Sequence, residues 1–283
     1  MKILITGTNG FVGKNLLEYY QSRYEHVYSP KRADLDLLDS QAVENYLAKH
    51  RFDVVINNAV TLTSVEQNIK IYFNLERCSD LFGFMINPGS GSEYDPKHYE
   101  PKMKESYFGK YIPDDIYGFS KYVIAKDIEY KSGNIVNLRL FGVFGKYENY
   151  KRRFISDNIS RALSGMDLSV NKNVYFDYLY IDDFCKITEM VIKKRPKKHT
   201  YNICTGERID LFSLARTIRD VHGHEVLIQV KQEGLNPEYS GDNSLFISEY
   251  GNFNFTELKK SIALLYQWYR DESNLVFDKK EYC

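Results

Sequence analysis

Tyr117-Gly118-Phe119-Ser120-Lys121 sets a phenol and an ammonium four residues apart, one helical turn, on the same helix face. A free tyrosine ionises near pH ~10, too high for ready proton exchange at neutral pH, and a nearby lysine charge favours the phenolate. Such a pair can give or take a proton beside a reacting carbonyl. Spacing alone does not choose it, because Tyr122 and Tyr147 also have a lysine four residues later. Position does. Tyr117 opens a helical stretch behind a strand, Phe84-Met85-Ile86, that runs into Asn87-Pro88-Gly89-Ser90 and so ends in a hydroxyl. Tyr122 is five residues further on, roughly 140° around the helix, and cannot face the same site equally. Ser90 holding a carbonyl, Tyr117 passing the proton and Lys121 tuning Tyr117 form a consistent catalytic set. The bland alternative is a surface serine and an ordinary helical pair.

A hydride source for such chemistry has a place at the N-terminus. In Ile3-Leu4-Ile5-Thr6-Gly7-Thr8-Asn9-Gly10-Phe11-Val12-Gly13 an apolar, β-branched run ends in a glycine turn, and Leu16, Leu17 and Tyr20 then begin a helical period. Strand, glycine turn and helix in that order is the dinucleotide-binding arrangement. Gly7 permits the tight turn, Gly10 a close approach of backbone amides to a pyrophosphate, and Gly13 the packing of helix on strand. The helix N-terminus presents partial positive charge to the phosphates. Asn9, Phe11 and Val12 share the turn, and Lys121 is also placed to hold the nicotinamide ribose.

The elements that must position these groups alternate. Strands are expected at 26–29, 53–57, 84–86 and 135–140, and helices at 41–50, 66–78 and 115–131. That order predicts an α/β fold with a doubly wound parallel sheet and right-handed crossovers, with ligands beyond the carboxyl ends of the strands. Polar or small residues cluster at those ends: Gly7 to Gly13, Asn57 to Val60 with Asn58 and Ala59, Ser90 to Tyr94, and the segment after Leu140. Later, a helix is expected at 154–163, a strand at 175–181, a helix capped by Asp182 or Asp183 and running to Lys193, a strand at 201–203, and helices near 211–221 and 255–270. The basic run Lys193 to Lys198 reads as a solvated helix end stopped by Pro196.

At 283 residues the chain suits one large α/β unit, or a main domain with a smaller lobe. Lys plus Arg equals Asp plus Glu, 38 each, so no global field favours nucleic acid or a membrane surface. Cys78, Cys185, Cys204 and Cys283 show no Cys-x-x-Cys spacing, which argues against a metal site or disulfide framework and fits a reducing, cytoplasmic setting. The first apolar run leads straight into the glycine turn, so it reads as a strand and not a signal peptide.

Thr6 to Gly13, Ser90 to Tyr94 and Tyr117 to Lys121 together resemble the extended short-chain dehydrogenase/reductase family, in its nucleotide-sugar epimerase/reductase branch, with GDP-fucose synthases and dTDP-4-dehydrorhamnose reductases among it. Leu138 to Gly145, Asp177 to Asp183 and Tyr201 to Gly206 resemble its later signatures, so the likeness spans nearly the whole chain. The resemblance implies a Rossmann-type domain from 1–145 with 174–203, and a nucleotide-sugar lobe from 146–173 with 204–283. It also implies a homodimer through helices near 66–80 and 115–131. Asp36 and Leu37 match the family's adenine-contacting pair, while Asn58, Ala59, Val60 and Leu140 fall on its cofactor edge.

An NAD enzyme usually has an acidic residue ending the second strand, but Tyr28-Ser29-Pro30-Lys31-Arg32 stands here. A guanidinium suits a phosphate, so NADP(H) is expected on Arg32 and Lys31, with NAD(H) the alternative. The resemblance also narrows the reaction. The family's 4,6-dehydratases carry an Asp-Glu pair where this chain has Gly91 and Ser92, and its GDP-fucose synthases epimerise with a cysteine where Ser92 stands. The expected activity is therefore 4-keto reduction of a nucleotide diphosphate 4-keto-6-deoxy sugar for polysaccharide or glycan precursors. The alternatives are an NAD-dependent 4-epimerase and a non-catalytic sensor. In the resemblance Phe176 replaces a common sugar-contacting arginine and Gly142 a common asparagine, so Lys151, Arg152 and Arg153 become the candidates to bind the diphosphate, beside Ser90, Gly91 and Ser92, the alternative being an exposed helix start. The segment Asp95 to Ile112 is expected over the site, where it would shape sugar selectivity.

Overall fold

The computed structural model describes residues 1–131 and 133–271, so Cys283 and the part of the expected lobe beyond residue 271 lie outside the described residues. Along the chain run β1 (Lys2–Thr6), α1 (Phe11–Gln21), β2 (His26–Tyr28), α2 (Ser40–His50), β3 (Val54–Asn57), α3 (Val65–Glu76), β4 (Met85–Ser90), α4 (Ile116–Tyr130) and β5 (Ile135–Leu140). They are followed by β6 (Val143–Phe144), α5 (Phe154–Leu163), β7 (Leu168–Asn173), β8 (Tyr175–Phe176), β9 (Leu179–Tyr180), α6 (Ile181–Lys193) and β10 (Thr200–Ile203). The remaining elements are β11 (Ile209–Asp210), α7 (Leu211–His222), β12 (Ile228–Leu235), α8 (Ser244–Tyr250) and α9 (Leu258–Asp271).

Six strands form one parallel sheet in the order β2-β1-β3-β4-β5-β10. Period-two alternation sorts their side chains. Ile3, Ile5, Val54 and Ile56 enter the core shared with α1 and α6, while Leu4, Val55 and Met85 enter the core shared with α2, α3 and α4. Both faces are covered, as the continuous apolar strands require. The chain leaves β1 toward β2 on one side and has β3 on the other, and this reversal opens a crevice at their carboxyl ends. Thr6 Oγ1 donates to Asn57 Oδ1 at 2.9 Å and accepts from the Ala59 amide at 3.3 Å, tying the two strand ends together there.

The first core does not stop at the sheet. It continues through Ile155 and Ile159 of α5, Leu168 and Val170 of β7, Leu214 and Ile218 of α7, and Ile262 and Leu265 of α9. β7 and β12 pair in parallel beside these helices. Neither strand follows from the apolar pattern, because most of β12 is exposed and polar.

Two expectations change. β4 runs through Pro88 to Ser90 rather than stopping at Ile86. Its pairing with β3 covers only Met85 and Ile86, so at Pro88 the strand has β5 alone as neighbour and the missing N–H costs no ladder bond on the β3 side. The segment 175–181 is two short strands, and α6 begins at Ile181 with Tyr180 at its cap position, so Asp182 and Asp183 lie in the first turn instead of capping it.

Gly13 is where α1 meets the glycine turn, and a Cβ there would overlap the Gly7 carbonyl oxygen. Gly13→Ala is expected to cost about 1–3 kcal/mol through this overlap. Urea unfolding would measure it.

Candidate active site

Asp115 caps α4 by accepting the Gly118 amide at 2.8 Å, which puts Tyr117 in the first turn of the helix and Lys121 one turn deeper. A Cβ on Gly118 would stand 2.6 Å from the Ser92 carbonyl oxygen, so the helix start lies directly on the 90–93 turn. Ser90 takes its place from below. Its amide donates to Glu93 Oε1 at 2.9 Å, and its hydroxyl accepts the Ser92 amide at 3.1 Å. Ser90, Tyr117 and Lys121 therefore meet in one cavity of about 870 Å³, whose wall also includes Gly7, Gly10, Phe11, Val12 and Gly13. Tyr122 and Tyr147 are elsewhere: Tyr122 stacks on Phe108 with ring centroids 5.0 Å apart, and Tyr147 bonds Glu18.

Burial raises the Tyr117 hydroxyl above the ordinary phenol range, while a hydrogen bond with Ser90 and the charge of Arg153 act to lower it. Lys121 does something other than expected. Its Nζ donates to the Pro88 carbonyl at 2.7 Å and lies 5.9 Å from the Tyr117 ring centre. Burial lowers its pKa to about 8. Arg153, which lines the same cavity, adds its positive charge to the surroundings of the Tyr117 hydroxyl.

The floor is a buried ion pair. Arg139 Nε meets Glu93 Oε2 at 2.6 Å with both side chains fully buried. Asn137 Nδ2 adds bonds of 3.1 and 2.9 Å to the two carboxylate oxygens, and Arg139 Nη1 reaches Tyr94 Oη at 2.8 Å and Asn202 Oδ1 at 3.2 Å. Burial disfavours the Arg139 charge, yet Glu93 beside it holds the guanidinium protonated. The Glu93 carboxylate folds over Gly89, where any Cβ would collide with it. Arg139 interrupts Leu138 and Leu140, and a charge inside an apolar strand is the signal that could have found the pair. Glu93 carries no comparable mark.

The cavity tests whether a dinucleotide fits. Gly7 has φ +65°, and a Cβ on it would stand 2.5 Å from the Asn58 backbone. The N-terminus of α1 has no side-chain cap, so its first-turn amides remain for a ligand. The Asn58 amide lines the same cavity with both polar atoms buried and unpartnered. An open, glycine-lined cradle with unused donors fits a dinucleotide pyrophosphate.

Other expected residues fall into two groups. Val60, Leu140, Ser92, Arg152 and Arg153 line the cavity. Asn9, Lys31, Arg32, Asp36, Leu37, Ala59 and Gly91 are not in its wall. Arg32 and Asp36 instead pair with each other at 3.3 Å on an exposed loop. Gly142 has φ +46°, and a side chain there would run into the Asp177 carbonyl. Asp177 itself accepts the Thr205 amide at 2.9 Å and the Gly206 amide at 2.7 Å, so its role is to hold that loop. The 95–112 segment does reach the site through Tyr99 and is pinned to the lobe by the Met103 amide on the Ser240 carbonyl at 3.0 Å. One contributor has no sequence signal: Tyr239 enters from the lobe, lines the cavity with Ser90, and places its hydroxyl where a Gly91 side chain would go.

A family model described as the NAD dependent epimerase/dehydratase family matches residues 3–204. The GDP-L-colitose synthase of Yersinia pseudotuberculosis is 22% identical over 309 aligned positions, covering 97% of this chain and 99% of that protein. The GDP-6-deoxy-D-talose 4-dehydrogenase of Aggregatibacter actinomycetemcomitans is 27% identical over 296, covering 94% and 97%. Among solved structures, a GDP-L-fucose synthetase from Naegleria fowleri bound to NADP superposes with a TM-score of 0.83 at 17% identity, covering 98% of this chain and 96% of that one.

Removing one partner of a buried pair leaves the other charge uncompensated. Glu93→Ala is expected to lower stability by about 3–5 kcal/mol. Denaturant unfolding would check this, and a loss within the range of surface substitutions would contradict the reading of the floor.

Proposed function

The chain belongs to the NAD dependent epimerase/dehydratase family, and as an NAD(P)-dependent enzyme of that family, we propose, it is an NADPH-dependent 4-keto reductase of a nucleotide diphosphate 4-keto-6-deoxy sugar. The observation that carries this is the pair Gly91 and Ser92. Eliminating water needs an acid and a base beside the catalytic hydroxyl, and the Tyr239 hydroxyl fills the space an acidic side chain at 91 would need. Ser92 lines the cavity but has a hydroxyl, a much weaker acid than the thiol used for epimerisation. Reduction needs neither group.

Gly7, Gly10 and Gly13 would hold the pyrophosphate of the dinucleotide, whose reduced nicotinamide would supply the hydride. Ser90 orients the substrate carbonyl through its hydroxyl, and Tyr117 donates the proton to the alkoxide oxygen. Lys121, held on the Pro88 carbonyl, would bind the nicotinamide ribose and restore the Tyr117 proton. Arg152 and Arg153 take the substrate diphosphate from the opposite wall. NADP over NAD rests on the loop after β2, where Lys31 and Arg32 are both exposed. There the Arg32 guanidinium needs only to leave a solvated partner to reach a 2′-phosphate. Residues 1–145 with 174–203 hold the cofactor in this reading, and 146–173 with the chain from 204 on hold the nucleotide sugar.

The same reading makes the protein a cytoplasmic homodimer built on α3 and α4, which pack together through Asn68 on Ser120 at 2.9 Å and Tyr72 on Asp127 at 2.8 Å. Among the described residues no helix is long and apolar enough to cross a membrane. An NAD-dependent 4-epimerase is the second reading, favoured by a Ser90, Tyr117 and Lys121 set that works in either redox direction.

Incubating the protein with GDP-, CDP-, dTDP- and UDP-linked 4-keto-6-deoxy sugars should oxidise NADPH with one of them. No consumption across the series overturns the reductase, and NAD copurifying with the protein would move the assignment to the epimerase. Tyr117→Phe should slow turnover by about 10²–10⁴-fold, the usual contribution of a general acid, with NADPH affinity retained.

A further inference from the structure

Glu148 is a buried acid that none of the steps above employs. It follows β6 and lies 6% exposed in the cavity wall, on the lobe side beside the start of α5. One carboxyl oxygen, Oε1, accepts the Ser156 hydroxyl of α5. The other, Oε2, is buried without any hydrogen-bond partner. A buried carboxyl oxygen left unpaired costs free energy that a bound ligand can recover. Around it stand the Arg153 guanidinium and the Tyr178 hydroxyl, both cavity-lining, and the Tyr269 hydroxyl of α9. Burial pushes its pKa up to about 8, against the opposing charge of Arg153. At neutral pH the group is therefore mostly a neutral carboxyl, which can both accept and donate beside an anionic diphosphate.

We infer that Glu148 is an anchor for the nucleotide sugar, its free Oε2 bonding a hydroxyl of the bound ligand while Arg153 takes the neighbouring phosphate charge. The inference rests on the nucleotide-sugar reading and sharpens it. Glu148 is carried by the connection between β6 and α5 and braced by the Ser156 hydroxyl of α5, while the preceding Lys146 carbonyl and Tyr147 ring meet Asn15 and Lys14 of α1, so the NADPH titration separates the nucleotide sugar from the dinucleotide. The hydroxyl can come from the ribose or from the hexose, and the two are distinguishable.

Calorimetric titration of the wild type with GDP, UDP, CDP and dTDP, and with the matching nucleotide glucoses or mannoses, identifies the nucleotide that binds. Glu148→Ala and Glu148→Met should then weaken that nucleotide by about tenfold or more, the size of one lost hydrogen bond, with NADPH affinity held within about twofold. Glu148→Met keeps the packing volume and removes a buried polar group, so it folds even where alanine leaves a void. Glu148→Gln, which keeps an oxygen and a donor, should restore affinity to within about threefold. Loss with the diphosphate alone assigns the ribose hydroxyl, and loss only with the sugar attached assigns the hexose. Variants that bind the nucleotide like the wild type overturn the anchor, as does equal weakening of nucleotide and NADPH. A wild type that binds NADPH but none of the nucleotides removes the nucleotide-sugar reading itself, and this anchor with it.

Discussion

A carboxylate and a guanidinium sealed under the sheet edge set the geometry on which the catalytic end depends. Glu93 receives Arg139, both Asn137 bonds and the Ser90 amide, so its lone pairs are used and its charge is balanced without water. Such a pair adds little net stability compared with a packed apolar core, because desolvation offsets most of the attraction. What it adds is position. β4, β5 and β10 are joined through Glu93, Arg139 and Asn202, and the Ser90 hydroxyl sits on the result. The cation also lies on Tyr94 and Phe108, with centroid distances of 4.6 and 4.7 Å, which brings the 95–112 segment onto the same foundation.

Above this floor the chemistry is set by what is excluded. Gly89 gives way to a carboxylate, Gly91 to a phenol and Gly142 to a backbone carbonyl. At all three places there is no room for a side chain. Tyr99, Phe176, Tyr178 and Tyr239 form an aromatic wall of the cavity. Burial then dominates the proton affinities: it raises Tyr117 and Glu148 and lowers Lys121, in each case disfavouring the charged form.

Local pattern made the cofactor half legible. The apolar run before Gly7, the Val-Val-Ile run within 53–57 and the buried strand at 135–140 appear as β1, β3 and β5 with boundaries shifted by a residue at most. Ser90, Tyr117 and Lys121 do share one cavity with the glycine turn. Their interactions were less legible than their positions, since the Lys121 ammonium turns to a carbonyl that only the folded β4 presents. In the lobe the helices expected at 154–163, 211–221 and 255–270 appear as α5, α7 and α9, and it is the paired strands β7 and β12 that escaped. β12 pairs along one edge and faces solvent with Lys231, Gln232 and Glu233, so no apolar period announces it. Tyr239 and Glu93 depend on contacts between segments more than forty residues apart, which no window of sequence contains.

The position of β10 has a consequence for how the chain assembles. It pairs with β5 to close the large sheet, yet some sixty residues separate them, and α5, β7 and α6 intervene. A nascent chain therefore exposes the β5 edge, with its unpaired amides and Arg139, until the C-terminal third begins to leave the ribosome. Long-range parallel pairing of this kind is slow and vulnerable to mispairing. Protection from aggregation during biosynthesis then rests on the strand Thr200–Ile203, four residues that also deliver Asn202 to its guanidinium.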